Sequence, residues 1–162
     1  MAARKTDPAA APGVGETVVF TRVYDVPRAL VYRAWTDPKE LAKWWGPKGF
    51  TNPVCELDAR PGGAIRIDMT APDGTVYLMT GTVREVAPPE RFVFAATAHD
   101  EKRRPIAEVL NSATFSERGG KTTMEIRSTV LSATPEAASS LAGMRQGWTQ
   151  SLVRLAEHVA TT

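Results

Sequence analysis

Histidine and cysteine, the side chains most used for metal binding and for activating a nucleophile, are few in this sequence: two histidines, His99 and His158, and one cysteine, Cys55. Zinc needs three or four donors drawn from Cys, His and carboxylates. This inventory assembles none of the usual sets and no acidic cluster substitutes for them, so no metal ligands are expected. A Ser-His-Asp arrangement needs a histidine near a nucleophile on a sharp strand-to-helix turn. His99 falls in a polar stretch and His158 close to the chain end, with no such turn beside either, and both read as solvated surface residues. Gly62-Gly63 and Gly119-Gly120 separate strand-like stretches rather than a strand from a helix, so no phosphate cradle is expected. Asp68, Arg84, Glu85 and Glu108 could serve cofactor-free acid–base chemistry, but alternation places each on the wet face of its strand. No catalytic residue and no cofactor is assigned.

Aromatic and sulfur-bearing side chains carry the stronger signal. Trp35, Trp44 and Phe92 read as core, whereas Trp45, Phe50, Ile67, Met69, Tyr77, Met79, Phe94, Met144, Trp148 and Leu152 read as the lining of a cavity for a small hydrophobic molecule. A helix laid across a curved sheet leaves space unless its side chains are bulky, and the small residues Gly81, Ala96, Ala113 and Gly147 do not fill it.

These residues must be positioned by a recognisable series of elements. Thr17 to Tyr24 is β-branched and aromatic, a strand pattern. Pro27 then opens a short amphipathic helix through Leu30, Val31, Ala34 and Trp35, and Asp37-Pro38-Lys39-Glu40 reads as a capped start of a second helix ending near Trp45-Gly46-Pro47. From Thr51 to Val130 six strands are predicted, separated by turn-forming stretches at Arg60-Pro61-Gly62-Gly63, Pro72-Asp73-Gly74, Pro88-Pro89, Lys102 and Gly119-Gly120. Ile65, Ile67 and Met69 alternate with Arg66 and Asp68, and Met124 and Ile126 with Glu125 and Arg127, so one sheet face is dry and the other wet. Thr134-Pro135-Glu136 starts a last helix whose apolar stripe runs through Leu141, Met144, Trp148, Leu152, Leu155 and Val159. Gly143 and Gly147 inside it predict a bend or a close backbone approach.

The 162 residues suit one domain, assigned to 16–160, preceded by a tail over 1–15 that is poor in large apolar residues. Twenty basic residues against eighteen acidic ones give a net charge of +2 with no basic stripe, so neither nucleic acid nor a membrane surface is an expected partner. No apolar run approaches the ~20 residues that cross a bilayer, no secretory leader is visible, and a single cysteine permits no internal disulfide; a cytoplasmic location is expected. A homodimer is left open.

Several stretches sharpen this outline: Val26 to Val31, Ala34-Trp35-Thr36-Asp37-Pro38, Leu41 to Thr51 with its Trp-Trp-Gly-Pro core, Asp58 to Gly63, Val86 to Arg91, and Gly143 to Leu152 with its Gly-Trp-x-x-Ser-Leu segment. Together they resemble the activator-of-heat-shock-protein-90-ATPase homologues of the START-like, or SRPBCC, superfamily. The resemblance implies an α+β helix-grip fold: a curved antiparallel sheet of about seven strands, two short helices, and a long C-terminal helix packed across the sheet. It implies no settled activity, although the family name points to the stress response, and the co-chaperone role belongs to longer, two-domain relatives. Binding of a small hydrophobic molecule is the leading expectation. A cofactor-free enzyme for an aromatic or polyketide-like substrate and a module that stimulates a chaperone ATPase are the alternatives.

Overall fold

The computed structural model describes residues 11–161. Seven strands, β1 (Thr17–Tyr24), β2 (Thr51–Leu57), β3 (Ala64–Thr70), β4 (Val76–Ala87), β5 (Arg91–His99), β6 (Pro105–Arg118) and β7 (Lys121–Ala133), form one antiparallel sheet in the order β1-β7-β6-β5-β4-β3-β2. β2 to β7 follow one another as a meander, because each turn is built from residues that reverse the chain locally. At Asp100, for example, the carboxylate accepts from the amides of Lys102 and Arg104 (2.9 and 3.0 Å) and from Arg104 Nε (2.7 Å), and these hydrogen bonds lower its pKa. β1 enters from the other end and pairs with β7, Thr17 opposite Thr129 through Tyr24 opposite Thr122.

Alternation sets the inner face. Along β7, Met124, Ile126, Ser128 and Val130 are buried with more open residues between them. β5, fourth of the seven, departs from a simple dry and wet pattern: Val93 and Ala95, on its outer face, are buried as well as Phe92, Phe94 and Ala96. Gly81 on β4 permits close approach to β5, since a Cβ there would stand 2.4 Å from the Ala95 carbonyl oxygen.

Between β1 and β2 lie α1 (Arg28–Thr36) and α2 (Pro38–Leu41). Pro27 stands at the N-cap of α1 and offers no side-chain cap. Glu117 of β6 supplies it instead, accepting from the Arg28 amide at 2.8 Å, a long-range contact that no local pattern announces. Asp37 caps α2 as expected, accepting from the Lys39 amide at 2.9 Å. α2 itself stops at Leu41 rather than reaching Trp45, and the chain continues as turns.

The expected continuous last helix is interrupted. A 3-10 turn, Pro135–Ala137, leads into α3 (Ala138–Ala142), and after Gly143 the chain resumes as α4 (Met144–Ala160). Thr134 does not cap it; its hydroxyl donates to the Ile106 carbonyl at 3.3 Å. α4 alone is about 25 Å long, and its stripe of Leu152, Leu155 and Val159 is fully packed against the sheet. Between sheet and helices the four tryptophans interlock around Trp35, whose ring lies 4.8 Å from Trp44, 6.2 Å from Trp45 and 6.0 Å from Trp148.

Residues 1–10 of the expected tail lie outside the described residues. Within 11–15, Pro12 is buried and the Gly15 amide donates to the Val130 carbonyl at 2.7 Å. Removing the chain through Gly15 is therefore expected to lower the melting temperature by roughly 2–4 °C more than removing residues 1–10, the equivalent of the ~1 kcal/mol such a hydrogen bond contributes.

Cys55, on β2, packs half-buried against the core, and burial reinforced by the neighbouring Glu56 pushes its thiol up to about 11 from an ordinary value of 9.0. At pH 8 the native protein should hold about a hundredfold less thiolate than the unfolded chain and alkylate slower in proportion. Equal iodoacetamide rates in native and denatured protein would contradict this environment. Because the raised value favours the neutral form, its stabilising contribution is full below pH ~9 and is lost as pH rises through about 11.

Candidate functional site

A pocket of about 460 Å³ opens between the inner face of the sheet and the α3–α4 segment. Its walls come from four sources. The loop after α2 provides Trp45, Gly46, Pro47 and Phe50; β3 and β4 provide Met69, Tyr77, Leu78 and Met79; β5 and β6 provide Ala96, Ala98, His99, Ala107, Val109 and Asn111; the helical segment provides Ser139, Ser140, Leu141, Gly143, Met144, Gly147, Trp148 and Ser151. The space exists because small residues occupy the sheet floor while the helix bends away at Gly143.

Of the ten residues expected to line a cavity, Trp45, Phe50, Met69, Tyr77, Met79, Met144 and Trp148 stand on this wall. Ile67, Phe94 and Leu152 do not: each is at most 2% exposed within the closed core. Ile67 and Phe94 face instead a void of about 10 Å³ beside Trp35, too small to hold a ligand. They share a face with the lining residues, but the tryptophan cluster fills the space above them. Among the small residues, Ala96 and Gly147 border the pocket while Gly81 and Ala113 do not.

The pocket's lip is held by a polar row on α4. Gln150, Arg154 and His158 recur every fourth residue and so share one helix face. Gln150 Oε1 accepts from the Lys48 amide at 3.0 Å. Arg154 Nη1 reaches the carbonyls of Trp45, Gly46 and Pro47 at 3.0, 2.9 and 3.0 Å, and Nη2 that of Lys43 at 3.3 Å. Burial lowers the Arg154 pKa, yet a guanidinium stays charged at neutral pH. Gly46 adopts φ +97° between these acceptors, a conformation that favours glycine.

Both histidines depart from the expected solvated state. His158, its side chain 11% exposed, meets Glu40 of α2 at 2.7 Å (Nε2 to Oε1), so Glu40 ties two helices together rather than closing a capping box. His99 borders the pocket at the end of β5, where the β5–β6 register shifts after Ala98, and its Nδ1 lies 3.1 Å from the Leu78 carbonyl. Asp68 also differs from expectation: 9% exposed, it pairs with Arg66 (Nε to Oδ1, 3.3 Å) away from the pocket. Arg84 and Glu85 are exposed and Glu108 is half-buried, and none of the three lines the pocket. Among the described residues no three His, Cys, Asp or Glu side chains group to hold a metal ion, and no helix is long and apolar enough to cross a membrane.

A long helix gripping a curved seven-stranded antiparallel sheet, with a pocket between them, defines the helix-grip class of START-like proteins. Residues 25–160 match the family model described as "Activator of Hsp90 ATPase homolog 1-like protein", and the chain belongs to that family. No curated protein matches it. Among solved structures, a Chromobacterium violaceum protein is 30% identical, with a TM-score of 0.71 over 88% of this chain and 96% of its own. The AHSA1 protein of Silicibacter pomeroyi is 26% identical, with a TM-score of 0.76 over 90% and 99%. A protein from Arthrobacter aurescens, 22% identical with a TM-score of 0.79 over 91% and 88%, shares the fold.

Proposed function

We propose that this chain binds a small, largely apolar molecule in the pocket between its helices and sheet. The observation that carries the reading is the 460 Å³ hollow itself, walled by Trp45, Phe50, Tyr77, Met79, Met144 and Trp148. A volume of that order lies within the roughly 300–1,000 Å³ range of small-molecule sites. Aromatic and thioether walls accept a flat apolar ligand through area burial and ring contacts.

The test is a thermal-shift and tryptophan-fluorescence screen with aromatic and fatty compounds. A ligand that enters raises the melting temperature, since binding to the folded state alone stabilises by RT ln(1 + [L]/Kd), and it perturbs Trp45 and Trp148, which lie on the wall. Met144→Trp should narrow the hollow, weaken the shift and leave the unliganded melting temperature within a few degrees, because Met144 borders open space rather than packed core. A screen that gives no shift with any compound would remove the proposal.

A further inference from the structure

The inner face of the sheet carries one polar pair where alternation calls for apolar residues. Asn111 of β6 and Ser128 of β7 stand opposite each other in the register, 4% and 0% exposed. Ser128 Oγ donates to Asn111 Oδ1 at 2.6 Å, which orients the amide so that Nδ2 is the donor left over. Its one contact, with the Val109 carbonyl, is 3.5 Å long, at the limit of a hydrogen bond. Asn111 also borders the pocket. A buried amide donor so poorly matched is costly unless something else accepts from it.

A second polar point lies along the same two strands. Asn111 is paired with Phe94, and His99 comes five residues later on β5, about 17 Å away at ~3.4 Å per residue. With Nδ1 against the Leu78 carbonyl, Nδ1 carries the proton and donates, so the neutral ring has its lone pair on Nε2. No hydrogen bond to His99 Nε2 is found among the described residues, and His99 borders the pocket. Between the two points the wall is made by Met79, Ala96, Ala98, Val109 and Met144.

From this spacing we infer that the ligand of the pocket is an elongated, mainly aromatic compound with a carbonyl oxygen at one end, accepted by Asn111, and a hydroxyl group at the other, donating to His99. The inference rests on the binding function proposed above and narrows it to a ligand class. Apolar walls supply most of the affinity, and the two polar points fix length and orientation, because a ligand lacking either group leaves a protein group unmatched.

The experiment is a ladder of three probes on the full chain, measured by isothermal titration calorimetry: biphenyl, 4-phenylphenol, and 4-acetyl-4′-hydroxybiphenyl. Each added polar end should tighten binding by up to about tenfold, the equivalent of one hydrogen bond. His99→Leu should erase the step from biphenyl to the phenol and keep the next one. The double variant Asn111→Leu with Ser128→Ala, which removes both partners so that neither is left unpaired, should erase only the step gained by the acetyl group. Equal affinity of all three probes for the unmutated protein would overturn the ligand class while leaving the binding function standing. Binding of none of them, together with an empty screen, would overturn both. The ladder on the unmutated protein decides the inference even if the double variant does not fold, and a hydroxyl step that survives His99→Leu would remove His99 from the assignment.

Discussion

Trp35→Ala is expected to destabilise the protein by about 3–5 kcal/mol, the cost of emptying a fully packed aromatic site. Trp35 is wholly buried, its ring approaches those of Trp44, Trp45, Phe94, Phe115 and Trp148 within 6.4 Å, and its Nε1 donates to Met124 Sδ at 3.3 Å. It joins α1, the loop after α2, α4 and the sheet, so the void cannot close by the shift of a single neighbour. For a chain of this length that loss corresponds to a fall in melting temperature on the order of 10–15 °C. Trp148→Ala provides the contrast. Trp148 is half-buried with one side on open space, so fewer contacts disappear and the cost should be nearer ~2 kcal/mol. Equal losses for the two variants would mean that the pocket is packed in solution.

Arg154→Met should cost about 2–3 kcal/mol, because hydrogen bonds from a charged donor to four backbone carbonyls vanish while the apolar stem is retained. The loss falls on the lip of the pocket: Lys43 to Pro47 would keep the Trp45–Trp148 ring contact and the adjoining Lys48 to Gln150 bond but lose the hydrogen bonds that tie their backbone to α4. Hydrogen exchange at the Gly46 and Lys48 amides should therefore rise more than exchange in β5 or β6. Arg154→Lys should recover less than half of the stability, since one ammonium cannot reproduce a planar fork that spans from Lys43 to Pro47. Unchanged exchange in the lip, with the same overall loss, would assign Arg154 to helix stability rather than to the loop.

Much of the frame is legible from local chemistry. The strands follow from two-residue periodicity in β3 and β7, the reversals from their glycine, proline and aspartate turns, the start of α2 from the Asp37 cap, and the bend in the last helix from Gly143. Each depends on residues a few positions apart, where backbone sterics and side-chain hydrogen bonds act directly. The pocket is less legible. Ile67, Phe94 and Leu152 carry the same inward pattern as Met69, Met79 and Trp148, because periodicity reports which face a residue takes and not how deep it lies on that face.

Depth was decided by tertiary structure: the tryptophan cluster closes one end of the inner face, and the helix leaves the other end open after Gly143. His99 reads as a loop residue, whereas in the fold it ends β5 and borders the pocket. Asn111 and Ser128, 17 residues apart, become a polar pair only through the β6–β7 register. The row Gln150, Arg154 and His158 has the spacing of a helix face, but its partners lie 102 to 118 residues earlier in the chain. The sequence alone determined the strands, the order of the elements and the side of the sheet that is dry, since these are set by short-range sterics and by the period of burial. Only the folded chain determined where the dry side stays open and which polar groups reach it, since those depend on sheet curvature, cross-strand register and contacts across more than a hundred residues.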